Sequence, residues 1–269
     1  MTGAVVGCVK WGTRYGPDYV NVLYRAVQAK LKRPHRFVCI TDEGEGLDAG
    51  IEVVPFPSFR VPRETWRKSC FPKIAMLAPG VVADDEVVLQ IDLDVMVVGG
   101  LDDFFDLYRD KPAFYSLREW NPALVRALLP LSLRPDRGTQ GSIYVFRAGD
   151  QRGMFEHFDT QTEWVFANYK SDRHYFPRIA KDPAYLPAAW CPSFKNDCLW
   201  YWPLSLATGE PKLPKDARIL VFHGKPRPID LLGPEGRRWG TGRKFGHGPV
   251  SWVRDYWLGY GGSLPRETV

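Results

Sequence analysis

Residues 87–98 read VVLQIDLDVMVV, and the reading of the whole chain starts from them. On a strand, successive side chains point to opposite faces. One face then carries Val87, Leu89, Ile91, Leu93, Val95 and Val97, all apolar. The other carries Val88, Gln90, Asp92, Asp94, Met96 and Val98. Unbroken apolar character with many β-branched residues predicts a central strand buried on both faces, ended by Gly99-Gly100. Asp92 and Asp94 therefore share one face at a strand end. Two like charges so close in a semi-buried place are costly. Either their pKa values rise or a cation sits between them. Carboxylate oxygens suit Mg²⁺ or Mn²⁺. A bare D-x-D is short enough to arise by chance where a strand turns into a loop. The apolar strand around this one keeps solvent away and favours metal binding.

Working outward, residues 4–9 (AVVGCV) form an apolar run that ends in the Gly-rich loop Lys10–Gly16. Pro17 and Asp18 then start a helix. Its inner face is Val20, Leu23, Val27 and Leu31, and Pro34 stops it. Residues 36–41 and 51–55 read as further strands. Strand, helix, strand in that order implies a parallel pair with a crossover, hence an open doubly wound α/β sheet. Residues 64–78 read as helical, interrupted by Pro72. Downstream, residues 142–146 (SIYVF) are strand-like and 154–169 helical. Residues 218–222 (RILVF) form another strand that runs straight into His223-Gly224-Lys225-Pro226.

Ligands of open α/β sheets bind beyond the carboxyl ends of the strands. Lys10, Trp11, Tyr15 and Asp42 are expected there, with the aromatics able to stack on a base and Asp42 able to accept hydrogen bonds from a nucleotide. Packing at the surface accounts equally well for those aromatics. Imidazole is a good Mn²⁺ ligand, so His223 would complete the site begun by the aspartates. Gly224 would let a phosphate approach the backbone, and Lys225 would supply a point charge for it. A lone histidine is more often structural; its place at a strand end beside Gly-Lys weighs toward a ligand.

With 269 residues, 45% of them hydrophobic, the chain can bury a full core. A net charge of +5 suits polyanionic partners without choosing among them. The five cysteines, Cys8, Cys39, Cys70, Cys191 and Cys198, are scattered and form no C-x-x-C pair. That pattern argues against a disulfide framework or a zinc ribbon and suits a reducing compartment. No signal-peptide pattern or membrane-spanning run is legible. A cytoplasmic protein is expected, peripheral at most to the inner face of a membrane. The final stretch, 231–269, is rich in Gly, Arg and Trp: Arg237, Arg238, Trp239, Arg243, Lys244, Trp252, Arg254 and Trp257. It reads as an irregular basic aromatic arm, either laid over the domain or touching an anionic membrane or lipid-linked acceptor.

Taken in order, these segments carry a family resemblance. IDLDVMVVGGLDDFF (91–105) resembles the D-x-D strand of retaining GT-A glycosyltransferases, especially glycosyltransferase family 8. FHGKPRP (222–228) is similar to that family's late H-x-G-x-K-P element, here with His and Gly adjacent. KWGTRYG (10–16) with FVCITDE (37–43) resembles the opening of related bacterial proteins. FPKIAML (71–77) resembles their lysine-bearing helix, and LPAAWCPSFK (186–195) a Leu-Pro-x-x-Trp segment on the acceptor side.

The resemblance implies a GT-A (Rossmann-like) open mixed sheet flanked by helices in a single domain. The nucleotide-sugar-binding part would span 1–230, with 231–269 as the arm. It implies a nucleoside-diphosphate sugar donor, UDP above all, bridged by Mn²⁺ or Mg²⁺. Asp92, Asp94 and His223 would hold the metal; Gly224, Lys225 and the nearby Lys73 would hold phosphate. It also implies a retaining transfer to a glycan or lipid-linked acceptor. Ser171-Asp172-Arg173-His174 stands where the family carries a D-Q motif, with Arg in place of Gln. Asp172 and Gln140, in GTQGSIYVF (138–146), are then the candidates for the catalytic polar group and sugar contacts. Arg173 would suit an acidic sugar or a phosphate. Metal-dependent nucleotidyl transfer or phosphohydrolysis, and a non-catalytic nucleic-acid-binding module, are the alternative readings. The chain has no G-x-x-x-x-G-K-[ST] phosphate loop and no nucleic-acid-binding signature.

Overall fold

A computed structural model describes residues 3–58, 60–199, 209–242 and 244–264. Strand β1 (Ala4–Lys10) is wholly buried and leads through the Gly-rich loop into helix α1 (Pro17–Lys30). Pro17 occupies the first helical turn, where its missing N–H costs nothing. The helix lays Val20, Leu23 and Val27 on the core, with Leu31 just past its end. Strand β2 (His35–Thr41) returns parallel to β1, and β3 (Glu52–Val54) lies parallel beyond it.

The lysine-bearing stretch is less regular than expected. A 3₁₀ turn over Arg63–Thr65 leads into α2 (Trp66–Ser69), and a second 3₁₀ segment covers Phe71–Leu77. The break falls at Cys70, in the left-handed region at φ 54°. The residue before Phe71-Pro72 cannot continue the helix once Pro72 removes a donor.

The D-x-D segment departs from the expected single strand. It forms two strands, β4 (Val87–Ile91) and β5 (Val95–Val97). β4 pairs parallel to β1 and antiparallel to β7 (Thr139–Arg147), and the Asp92 N–H still reaches the Ser142 carbonyl at 2.9 Å. β5 instead pairs antiparallel with β9 (Ile219–Val221) in a separate small sheet. The chain changes sheets at Asp92-Leu93-Asp94. Alternation persists across the change, because both sheets need the same apolar face: Leu89, Ile91, Leu93, Val95 and Val97 belong to one core.

The remaining elements complete the frame. Helix α3 (Asp102–Asp110), strand β6 (Phe114–Arg118) and helix α4 (Ala123–Leu128) precede β7. Helices α5 (Arg152–Thr160), α6 (Thr162–Asn168) and α7 (Asp172–Ile179) and strand β8 (Pro183–Tyr185) follow it. Among the described residues the main sheet has seven strands in the order β3-β2-β1-β4-β7-β6-β8. It is mixed, with parallel and antiparallel pairs, and has a hydrophobic core on each face.

The expected irregular arm has regular structure. Strands β10 (Arg238–Thr241) and β11 (Lys244–His247) make a hairpin, followed by α8 (Ser251–Gly259). Leu231, Trp239, Val253 and Trp257 join the same core as β1 and α1. The tryptophans turn inward because each indole finds a carbonyl there. Trp239 donates to Gly248 at 2.8 Å, Trp257 to Ser263 at 2.9 Å and the half-buried Trp252 to Pro211 at 2.8 Å. Arg243, one of the arm's basic residues, lies outside the described residues.

Gly99 shows how closely β5 and β9 approach. A Cβ there would stand 2.6 Å from the Ala217 carbonyl oxygen, whereas one on Gly100 would meet nothing within 4 Å. Gly99→Ala is expected to lower unfolding stability by about 1–3 kcal/mol, with Gly100→Ala near neutral. Urea unfolding midpoints of the two variants check this.

Candidate active site

The parallel strands β1, β2 and β4 all deliver their carboxyl ends to one edge, and two adjoining cavities open there. A cleft of about 600 Å³ is lined by the loop after β1 (Trp11 to Tyr15), Arg63, Trp66, Gly224 and Arg227. A smaller cavity of about 420 Å³ is lined by Gln140, Gly141, Ser142, Lys170 to His174 and His223. Cys70, Lys73, Asp92, Asp94 and Gly224 border both. The acid pair thus forms the common wall of two cavities.

Asp92 is fastened from behind. Lys73 is 7% exposed, and its Nζ lies 2.6 Å from Asp92, 3.5 Å from Asp172 and 2.7 Å from the Gly141 carbonyl. Burial works against this ammonium, but Asp92 and then Asp172 outweigh it and raise its pKa well above the ordinary lysine range. Asp172, 3% exposed at the start of α7, also accepts a hydrogen bond from the Tyr144 hydroxyl at 3.2 Å. Burial raises its pKa, while Lys73 opposes the rise. The space is tight: a Cβ on Gly141 would stand 2.6 Å from an Asp172 carboxylate oxygen.

Asp94 lacks that support. It accepts from the Tyr15 hydroxyl at 3.2 Å, and among the described residues no lysine or arginine is paired with it. Burial, and next the charge of Asp92, push its carboxyl up to about 7. A carboxyl raised in this way contributes stability that is complete below its ordinary value of 3.8 and lost as pH climbs through about 7. Burial, then Asp94, raise the Tyr15 phenol well above its usual value, so it remains a donor.

His223 arrives through the β5–β9 register. Val95 faces Val221, and the Phe222 N–H reaches the Asp94 carbonyl at 3.0 Å, so the histidine lies beside the acid pair. Its imidazole stacks on Trp120, centroids 4.9 Å apart, and its Nε2 is 2.7 Å from the Ser193 hydroxyl. The Lys195 ammonium donates to the His223 carbonyl. Burial, then Lys195, hold the imidazole down to about 4, so it is neutral at physiological pH.

All three expected metal ligands therefore line one cavity, yet they are not gathered into a coordination shell. Among the described residues no three His, Cys, Asp or Glu side chains converge closely enough to hold an ion. Asp92 is drawn to Lys73, and His223 to Ser193. The donor set itself fits a divalent cation: two carboxylates, one of them raised by burial and by the charge of the other, and a neutral imidazole.

The other expected residues divide. Trp11 and Tyr15 line the cleft, with Trp11 edge-on to Trp66 at 6.3 Å. Gln140 lines the smaller cavity and orients Ser142, accepting from its N–H at 2.6 Å. Gly224 borders both cavities at φ +79°, a conformation that favours glycine. Lys10 is turned away: it is buried and donates to the Glu43 carbonyl at 3.2 Å. Asp42 is engaged with Arg63 at 3.0 Å and with the Gly12 N–H at 3.3 Å, so it braces the loop. Lys225 is exposed and lines neither cavity. Lys73 is consumed by the two aspartates and has little reach toward a phosphate. Arg14, Arg227, Trp120 and Ser193 were not expected. Arg14 and Arg227 sit in or beside the quoted motifs, but nothing in their spacing says which basic residue faces the cleft. Ser193 lies within the quoted LPAAWCPSFK segment, whereas Trp120 comes from a loop outside the quoted motifs.

No family model and no curated protein matches this sequence. Solved structures do match in fold. The galactosyltransferase LgtC, in complex with donor and acceptor sugar analogues, superposes with a TM-score of 0.59 at 13% identity, over 98% of each chain. The bifunctional glycosyltransferase WbbM gives 0.58 at 12% identity, over 99% of this chain and 50% of its own. The apo form of GlyE from Streptococcus pneumoniae gives 0.56 at 14% identity, over 96% of this chain and 60% of its own. The chain has the GT-A fold of these glycosyltransferases.

Removing Lys73 would leave the buried Asp172 and the half-buried Asp92 without their shared cation. Lys73→Ala is expected to cost about 3–5 kcal/mol in denaturant unfolding near neutral pH, and Lys73→Met/Asp172→Asn to recover part of that loss. Wild-type stability in Lys73→Ala would mean that the ammonium does not balance the pair.

Proposed function

We propose that the protein is a metal-dependent glycosyltransferase. It would transfer a sugar from a nucleoside-diphosphate donor, UDP-linked, to a glycan or lipid-linked acceptor. One observation carries the reading: within a GT-A fold, the acid pair forms the wall between a nucleotide-sized cleft and a second, smaller cavity. Pockets of several hundred Å³ with a few convergent polar groups are the usual form of small-molecule sites.

The cleft suits the nucleotide. Trp11 and Trp66 offer flat apolar walls for a base, and Arg14 and Arg227 offer guanidinium groups to a diphosphate. Lys225, next to Gly224 in the chain and exposed, would add a point charge for phosphate. Asp92, Asp94 and His223 would hold Mn²⁺ or Mg²⁺, which when bound neutralises charge on the departing diphosphate. Lys73 holds Asp92 and Asp172 in place and offsets part of their charge. In the smaller cavity, Gln140 and Asp172 are the polar groups facing the sugar and acceptor side, with Arg173 held by Glu119 at 3.2 Å. A retaining outcome is part of the proposal, with Asp172 or Gln140 beneath the sugar ring.

A panel of nucleotide sugars tested for metal-dependent hydrolysis, and for thermal stabilisation by UDP with and without Mn²⁺, examines this directly. Ligand at 100 times Kd adds about 2.7 kcal/mol. Stabilisation that needs both components is the expected result. A response to single-stranded oligonucleotide alone would sink the proposal. Asp94→Asn is expected to abolish the Mn²⁺-dependent part while leaving the fold intact. Because Asp94 must shed its proton to bind a cation, wild-type Mn²⁺ affinity should rise by up to about tenfold per pH unit and level off above about 7. A flat profile below that point would remove Asp94 from the ligand set.

A further inference from the structure

The segment between β6 and β7 groups four exposed leucines. Leu124, Leu128 and Leu133 are 69%, 70% and 67% exposed, and Leu129 is 36% exposed. Leu124 and Leu128 are four apart on α4 and share a face. Scattered single leucines need no explanation, but four within ten residues make a patch.

This segment is not a loose loop tip. The Asn121 side chain donates to the Pro135 carbonyl at 3.2 Å and closes its base. Arg126 is tied to Asp197 and to the Asn196 carbonyl, in the helical turn Phe194–Cys198 next to Ser193. Trp120, at its start, donates to the Cys191 carbonyl at 3.2 Å and stacks on His223. The leucines are thus held outward by a frame that reaches the smaller cavity through Trp120, which stacks on the cavity-lining His223.

We infer that this leucine patch seats the protein on an anionic lipid surface, with the smaller cavity facing the bilayer. Charge selects the partner. From Trp120 to Arg137 the sequence holds Arg126, Arg134 and Arg137 against one acid, Asp136; Arg126 is paired with Asp197, which leaves Arg134 and the exposed Arg137 as the cations beside the leucines. Leucines ringed by arginine are the composition of segments that lie in the membrane interface. Protein–protein hot spots favour Trp, Tyr and Arg and are poor in leucine. Contact is peripheral, since among the described residues no helix is long and apolar enough to cross a membrane. The 231–269 stretch, where such contact was expected, turns its described tryptophans inward. That the surface would deliver a lipid-linked acceptor rests on the proposed glycosyl transfer; the docking itself does not.

Co-sedimentation of the full chain with phospholipid vesicles tests this. The vesicles are phosphatidylcholine alone, or phosphatidylcholine with about 30 mol% phosphatidylglycerol to supply a negative surface potential. The wild type is expected on the anionic vesicles and at least roughly tenfold less on the neutral ones. Leu128→Ser/Leu133→Ser is expected to lose binding by at least about tenfold, with an unchanged melting temperature, since both side chains are exposed. Its donor hydrolysis in lipid-free buffer should match the wild type, which separates failed docking from a failed catalytic reading. Undiminished vesicle binding by the double variant overturns the inference, as does absent wild-type binding or equal binding to both vesicles. Lipid-free self-association that the double variant abolishes, seen by sedimentation velocity, would overturn it too, by making the patch an interface between copies.

Discussion

An ammonium buried between two carboxylates organises this site. Lys73 reaches Asp92, Asp172 and the Gly141 carbonyl, so one side chain ties the stretch before β4, the end of β4, the middle of β7 and the start of α7. Such a cluster contributes little net stability if hydrophobic packing could replace it, yet losing one member leaves uncompensated charge. Its value here is positional. With Asp92 and Asp172 sharing the one ammonium, Asp94 has no paired cation among the described residues, and burial, then the charge of Asp92, raise its pKa.

The second constraint is the change of sheets at Asp92-Leu93-Asp94. Had β4 run on to Val98, both acids would have stayed within one ladder. Instead Asp92 still pairs with β7 through Ser142, while Asp94 already pairs with the strand that leads to His223. The switch places the two carboxylates at the seam between the sheets, where the cavities meet. The same seam brings in a neutral imidazole from more than a hundred residues away.

The walls of the two cavities differ in character. The cleft has aromatic and guanidinium lining drawn from the loop after β1 and from Arg63 and Arg227. The smaller cavity is lined by Gln140 to Ser142, Lys170 to His174 and His223, and Trp120 stacks on His223. The two cavities are thus built largely from separate parts of the chain and share Cys70, Lys73, Asp92, Asp94 and Gly224.

Much of this was legible in the residues. Buried strands, the first helix and its stop follow from local apolar periodicity, which depends on neighbours in sequence. The D-x-D and the late His-Gly-Lys could be placed at strand ends for the same reason. The break after Ile91 was hidden because two different sheets demand the same alternating pattern. The inward tryptophans of 231–269 were hidden because an indole suits a core with a carbonyl partner as well as a wet surface. Composition and periodicity determined which segments are strands and which residues could bear chemistry. Only the tertiary structure decided that Lys73 serves the aspartates, that Lys10 and Asp42 brace loops, that Arg227 lines the cleft and that Trp120 stacks on His223. Those assignments depend on distances between side chains remote in sequence, and local propensity carries no information about them.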